Sequence, residues 1–202
     1  MIIFLLILPV TYLIFSYLTG LKGLQTGCLL SLTAYWVIIL SVAFYSLSYT
    51  GINDLNRLHS FTKQIWGILA ILPALVVFFI FFLPIFDKIK FNLLLMSIIL
   101  GIINGICEEL FWRGLTLKTT ENYRKILSLV SVAGFVLWHI TWLTIVGLKI
   151  PGGPFALLGG ALFFGILWQF TASKTNNLVW VSYSHIIVSI TSFTVILMAN
   201  FS

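Results

Sequence analysis

The sequence predicts an all-α protein, a polytopic transmembrane helical bundle of about seven membrane helices. Three observations carry that prediction. Apolar residues make up 60% of the 202 residues and charged residues only 8%, whereas a soluble domain carries about 25% charged residues. The apolar residues gather in runs of the ~20 residues that a helix needs to cross a hydrocarbon core about 30 Å thick. The connectors between those runs are short and polar, which leaves no room for a separate soluble domain and makes residues 1–202 a single membrane domain.

Residues 1–20, MIIFLLILPVTYLIFSYLTG, lack a basic n-region and a small-residue cleavage site, so they predict a first membrane helix, not a removed signal peptide. Runs at 26–48, 66–86, 91–117, 127–148, 154–172 and 178–200 supply the other crossings. The fourth is long enough to tilt or to lift its end out of the bilayer. FDKIK, LKTTENYRKI, LKIPGGP and SKTNN join successive runs. In the longest connector, SYTGINDLNRLHSFTK, Ile52, Leu55, Leu58 and Phe61 recur every third residue, as in a short helix lying in the interface. His59 belongs to that connector and is read as a solvated side chain.

The net charge of +6 comes from basic residues scattered over the connectors, which suits anionic lipid headgroups and not nucleic acid. Arg57, Lys63, Lys118, Arg124, Lys125 and Lys174 fall on the side of the N-terminus, and Lys22, Lys88, Lys90 and Lys149 on the other. That bias favours a cytoplasmic N-terminus. Cys28 and Cys107 both lie in apolar runs, without the spacing of a disulfide framework or a metal site.

Few residues remain that can carry chemistry inside the membrane. An ionisable side chain there costs about 2.5–3.5 kcal/mol on insertion scales, which makes it a functional candidate. Glu108, Glu109 and Arg113 stand late in the fourth run, His139 in the fifth and His185 in the seventh. Glu109 and Arg113 are one helical turn apart and can pair. Glu108 follows Asn104 by one turn on another face, so one carboxylate is read as charge-paired and the other as free to face a cavity. Gly101 and Gly105 form a small-xxx-small pair that admits a neighbouring helix. Residues alone leave three readings open: a buried pair that only fixes helix register, an ion or proton path, and catalysis. Two histidines on separate runs beside an unpaired carboxylate favour the last, because Glu and His together can activate water. Trp112, Trp138, Trp142, Trp168 and Trp180 are read mostly as packing or interface anchors.

A family resemblance adds to this. EELFWR (Glu108–Arg113) resembles the EExxxR motif of the CPBP family, the CAAX proteases and bacteriocin-processing enzymes also called Abi. FVLWH (Phe135–His139) resembles its FxxxH motif, and GALFFGILWQFTASKTNNLVWVSYSHIIVS resembles its third and fourth motifs. The resemblance covers about residues 90–200, and residues 1–89 carry no matching motif. It implies an intramembrane endopeptidase in which Glu108 and His139 activate the hydrolytic water, Glu109 and Arg113 support the site, and His185 lines it. In the CAAX-protease branch that last His and an Asn four residues on stabilise the oxyanion. Here the fourth position is Ser189, which is shorter, and losing one such donor costs about 10²–10³ in rate.

The family is also described as metal-dependent. Glu108, Glu109, His139 and His185 form a mixed donor set, and Glu108, His139 and His185 would be the ligands of a divalent metal such as zinc. Hydrolysis without a tightly bound metal is the expectation favoured here. The implied partners are membrane lipids and a peptide or small membrane-protein tail, in peptide or bacteriocin maturation or self-immunity at a bacterial cell membrane. The alternative is an inactive scaffold of the same fold that binds a membrane partner.

Overall fold

The computed structural model describes residues 2–48 and 61–201. The connector residues Ile52, Leu55, Leu58 and His59 lie outside the described residues. Seven helices follow one another: α1 (Ile2–Lys22), α2 (Leu24–Ser48), α3 (Phe61–Val77), α4 (Phe91–Glu109), α5 (Glu121–Leu143), α6 (Gly153–Thr175) and α7 (Val179–Phe201). No strand occurs among the described residues. Six helices are long and apolar enough to cross a membrane, whereas the apolar stretch of α1, Leu6–Lys22, is shorter. The molecule is a multi-pass integral membrane bundle.

Most predicted runs match a helix to within a few residues, and the departures have local causes. The fifth run was expected to continue to residue 148, but α5 ends at Leu143. Beyond it Gly147 takes a left-handed φ of 82°, and Gly152 and Gly153 take 78° and 67° around the turn into α6, conformations that glycine adopts without a Cβ penalty. The third run does not stay α-helical. After Pro73 in α3 it widens into a π turn at Phe78–Phe82 and then tightens into a 3₁₀ segment at Leu83–Lys88.

The fourth run crosses as one length of helix from Phe91 to Leu117. Within it the ladder opens into a π turn at Leu110–Gly114, directly after the two glutamates. A π turn adds a residue to the helical repeat and leaves backbone groups to be satisfied from outside. Ser131 of α5 donates its hydroxyl to the Trp112 carbonyl at 2.6 Å, and Thr116 donates to the Arg113 carbonyl at 2.8 Å.

The core of the bundle is the antiparallel contact of α4 with α7. Thr194 donates to Ser97 at 2.8 Å, and Asn104 faces Ser189 at 3.4 Å. At the far end of the ladder Glu108 faces His185 at 3.4 Å. Between these polar rungs stand Gly101 and Gly105. A Cβ on Gly101 would meet the Ile190 backbone nitrogen at 2.7 Å, and one on Gly105 the Ile186 nitrogen at 2.9 Å. The predicted small-residue pair therefore does what its spacing implies: it lets the backbones close up where no side chain fits. Gly105→Val is expected to force the helices apart and lower stability by about 1–3 kcal/mol, the usual cost of overpacking. Thermal unfolding in detergent checks it, with Gly159→Ala, where a Cβ meets open space, as the neutral reference.

Candidate active site

Glu108, Glu109 and Arg113 are all buried, at 1%, 0% and 0% exposure. Burial of three charged groups is tolerable only if each finds partners. Arg113 Nη1 lies 3.0 Å from Glu109 Oε1, one turn back on its own helix. Its guanidinium also sits over the Phe135 ring, 4.4 Å from the centroid, and Nη2 points to the Gly165 carbonyl at 3.4 Å. The pairing expected from spacing is thus present. It reaches further than expected, because His185 Nδ1 meets the same Glu109 Oε1 at 2.7 Å.

Glu108 has a different set of neighbours. Its Oε1 accepts from the Tyr35 hydroxyl at 2.9 Å and from the Trp138 indole N–H at 2.8 Å. Its Oε2 has no hydrogen-bond partner among the described residues and lies 3.4 Å from His185 Nε2. His185 therefore stands between the two carboxylates, one on each ring nitrogen. Its plane is held by Trp168, stacked at 4.0 Å and 22°. Trp168 is fixed in turn by donating to Ser184, whose hydroxyl donates to the Ala70 carbonyl, both at 2.8 Å.

His139 is half-buried, and its Nδ1 lies 2.7 Å from the Phe135 carbonyl one turn back. A carbonyl only accepts, so Nδ1 carries the proton and Nε2 is left with its lone pair. Glu108, His139, His185, Asn104 and Ser189 all border one cavity of about 440 Å³ enclosed by α4, α5, α6 and α7. Its walls are otherwise mostly apolar and include Phe135, Trp138, Trp142, Phe164 and Trp168.

Sequence reasoning missed Tyr35, and it missed Trp36, whose indole donates to Asn104 Oδ1 at 3.0 Å. Both come from α2, in the part of the chain without a recognised motif. It also read Trp138 and Trp168 as packing, whereas one bonds to Glu108 and the other carries His185. Tyr35→Phe deletes one of the two donors to Glu108. A hydrogen bond to a charged group contributes about 1.5–3 kcal/mol, so turnover is expected to fall on the order of tenfold or more with the fold retained, as steady-state kinetics on a cleaved peptide will report.

The donor set does not form a three-ligand metal centre. Among the described residues no three His, Cys, Asp or Glu side chains converge as metal ligands. Glu108 Oε1 is already taken by two donors, and His185 directs its nitrogens at the two carboxylates. The trio Glu108, His139 and His185 is thus occupied with other partners, and no step below passes through a metal.

A buried Glu/His cluster on an enclosed cavity, inside a bundle of membrane-crossing helices, defines an intramembrane hydrolase of the CPBP class. Residues 90–191, half of the chain, match the model of the type II CAAX prenyl endopeptidase Rce1-like family, and the chain belongs to that family. Comparison with the curated proteins and with the solved structures finds no match.

Proposed function

We propose that the chain is an intramembrane endopeptidase that hydrolyses an extended peptide, or the tail of a small membrane-associated protein, by Glu108- and His139-activated water. The observation that carries this reading is a pair of unclaimed acceptors on one cavity: Glu108 Oε2 and His139 Nε2. A water held between such acceptors loses its proton to one of them as its oxygen attacks a carbonyl carbon. The proton then goes to the departing amine when the C–N bond breaks, which returns the carboxylate to its starting state.

Charge accounting supports the same roles. Glu109 accepts from Arg113, and the Nδ1 proton of His185 points at Glu109. A second proton is then required between His185 Nε2 and Glu108 Oε2, because two bare acceptors 3.4 Å apart repel. With that proton the four groups sum to zero charge, which is what a buried cluster needs. His185 so protonated keeps Glu108 a carboxylate ready to take the proton of water and steadies negative charge developing beside it. The apolar walls favour a peptide with apolar side chains. Bacteriocin or peptide maturation, or self-immunity, at a bacterial cell membrane is the setting that suits this chemistry.

The test is cleavage of a peptide library by the purified chain in proteoliposomes. The library includes C-terminal Cys-aliphatic-aliphatic-X peptides with and without a farnesyl group, together with unmodified apolar peptides, and products are read by mass spectrometry. At least one member is expected to be cut by the native chain and left intact by Glu108→Gln. Equal cleavage by both, or none by the native chain, overturns the hydrolase in favour of a scaffold that binds a membrane partner.

A further inference from the structure

One turn along the α4–α7 ladder from Glu108 and His185 lies a second polar rung that water activation does not use. Asn104 and Ser189 border the same cavity and are 8% and 6% exposed. Asn104 Nδ2 lies 3.4 Å from Ser189 Oγ. The orientation of the amide is decided by Trp36, whose indole N–H lies 3.0 Å from Oδ1. An indole only donates, so the carbonyl end must face α2 and the NH₂ end must face α7 and the cavity.

Hydrogen counting then leaves two donors over. The amide has two N–H groups, and Ser189 Oγ takes one of them. The other N–H has no acceptor among the described residues, and the Ser189 hydroxyl, used as an acceptor, keeps its own proton unassigned. Leaving buried donors unpaired costs about 1–3 kcal/mol each, which makes a pair of them a place for an acceptor oxygen. The nearest acceptor atoms of the cluster are already engaged: Glu108 Oε1 by Tyr35 and Trp138, Asn104 Oδ1 by Trp36.

We propose that Asn104 Nδ2–H and Ser189 Oγ–H together bind the scissile carbonyl oxygen, which makes Asn104 a catalytic residue and α4 the carrier of both the water-activating carboxylate and an oxyanion donor. The proposal rests on the hydrolase reading above. The spacing fits it. One helical turn is about 5.4 Å, so a carbonyl carbon between the rungs has the attacking oxygen towards Glu108 and its own oxygen towards Asn104. As the O–C bond forms, the carbonyl π electrons move onto that oxygen, and the two donors hold it until the C–N bond breaks. Tyr35 and Trp36, adjacent on α2, thereby fix the two rungs from behind, one on Glu108 and the other on Asn104.

The experiment measures kcat and KM in proteoliposomes for the library peptide that the native chain cuts best. Asn104→Leu removes the amide and keeps the bulk, and Ser189→Ala removes the hydroxyl from a site where a smaller side chain fits. Each is expected to lower kcat by about 10²–10³-fold, the loss typical of one oxyanion donor, with KM within about threefold and thermal unfolding close to native. Asn104→Leu combined with Ser189→Asn returns an amide to the rung from the opposite helix and is expected to recover at least tenfold of the lost kcat. Native kcat in Ser189→Ala or Asn104→Leu overturns the proposal. So does a loss that appears in KM and thermal stability alone, which is what a packing role produces. If Asn104→Leu does not fold, Ser189→Ala decides by itself. An inactive Glu108→Gln beside a fully active Asn104→Leu removes this proposal and leaves the hydrolase standing; an active Glu108→Gln removes both.

Discussion

Glu108→Gln is expected to reduce hydrolysis by about 10²–10⁴-fold, the contribution typical of a positioned acid–base group, and to leave the bundle folded. The two halves of that expectation come from the two ends of one side chain. Oε1 of a glutamine still accepts from Tyr35 and Trp138, the bonds that now fix the position at 2.9 and 2.8 Å. The amide nitrogen takes the place of Oε2, 3.4 Å from His185 Nε2. It can donate to that nitrogen, so no buried group is stranded. What is lost is the only atom of the side chain able to take a proton from water. Cleavage of the library peptide and thermal unfolding of the same preparation check the two halves separately.

Glu109→Leu is expected to do the reverse and lower stability by about 3–5 kcal/mol, the cost of breaking a buried ion pair by removing one partner. The neighbouring carboxylate carries structure and not water. Glu109 Oε1 receives Arg113 at 3.0 Å and His185 at 2.7 Å, so its loss leaves a guanidinium without its carboxylate in a fully buried position and frees the ring that faces Glu108. Arg113 would keep only the Gly165 carbonyl and the faces of Phe135 and Trp168. Thermal unfolding in detergent is the measurement, and Glu109→Gln, which keeps an acceptor for Arg113, should lose less. A doublet whose members fail in opposite ways, one in turnover and one in folding, is the signature of divided roles.

The bundle was legible because each crossing needs a long apolar run, and such runs stand out in any sequence. The helix ends were less so, since α5 stops at Leu143 while the apolar residues continue into a turn shaped by Gly147. At the site, the ionisable residues were visible for the opposite reason: a charge in an oily run is costly and therefore rare. Their neighbours were not. Tyr35, Trp36, Trp138 and Trp168 look like any aromatic in a membrane helix, and only the assembled packing shows that their O–H and N–H groups aim at Glu108, Asn104 and Ser184. The π turn was invisible because Leu110–Gly114 has no composition that distinguishes it from ordinary helix.

That widened turn has a consequence for how the motif tolerates length changes. An α-helix advances about 100° per residue, so deleting one residue between Leu110 and Trp112 would let the ladder close into regular α geometry and swing everything beyond it around the axis. The guanidinium now trapped under Phe135 would rotate away from its carboxylate, and the Trp112 carbonyl would lose the gap that Ser131 fills. Single substitutions in this stretch test chemistry; single deletions test phase. The first kind spares the angular timing between the paired acids and everything downstream, and the second resets it.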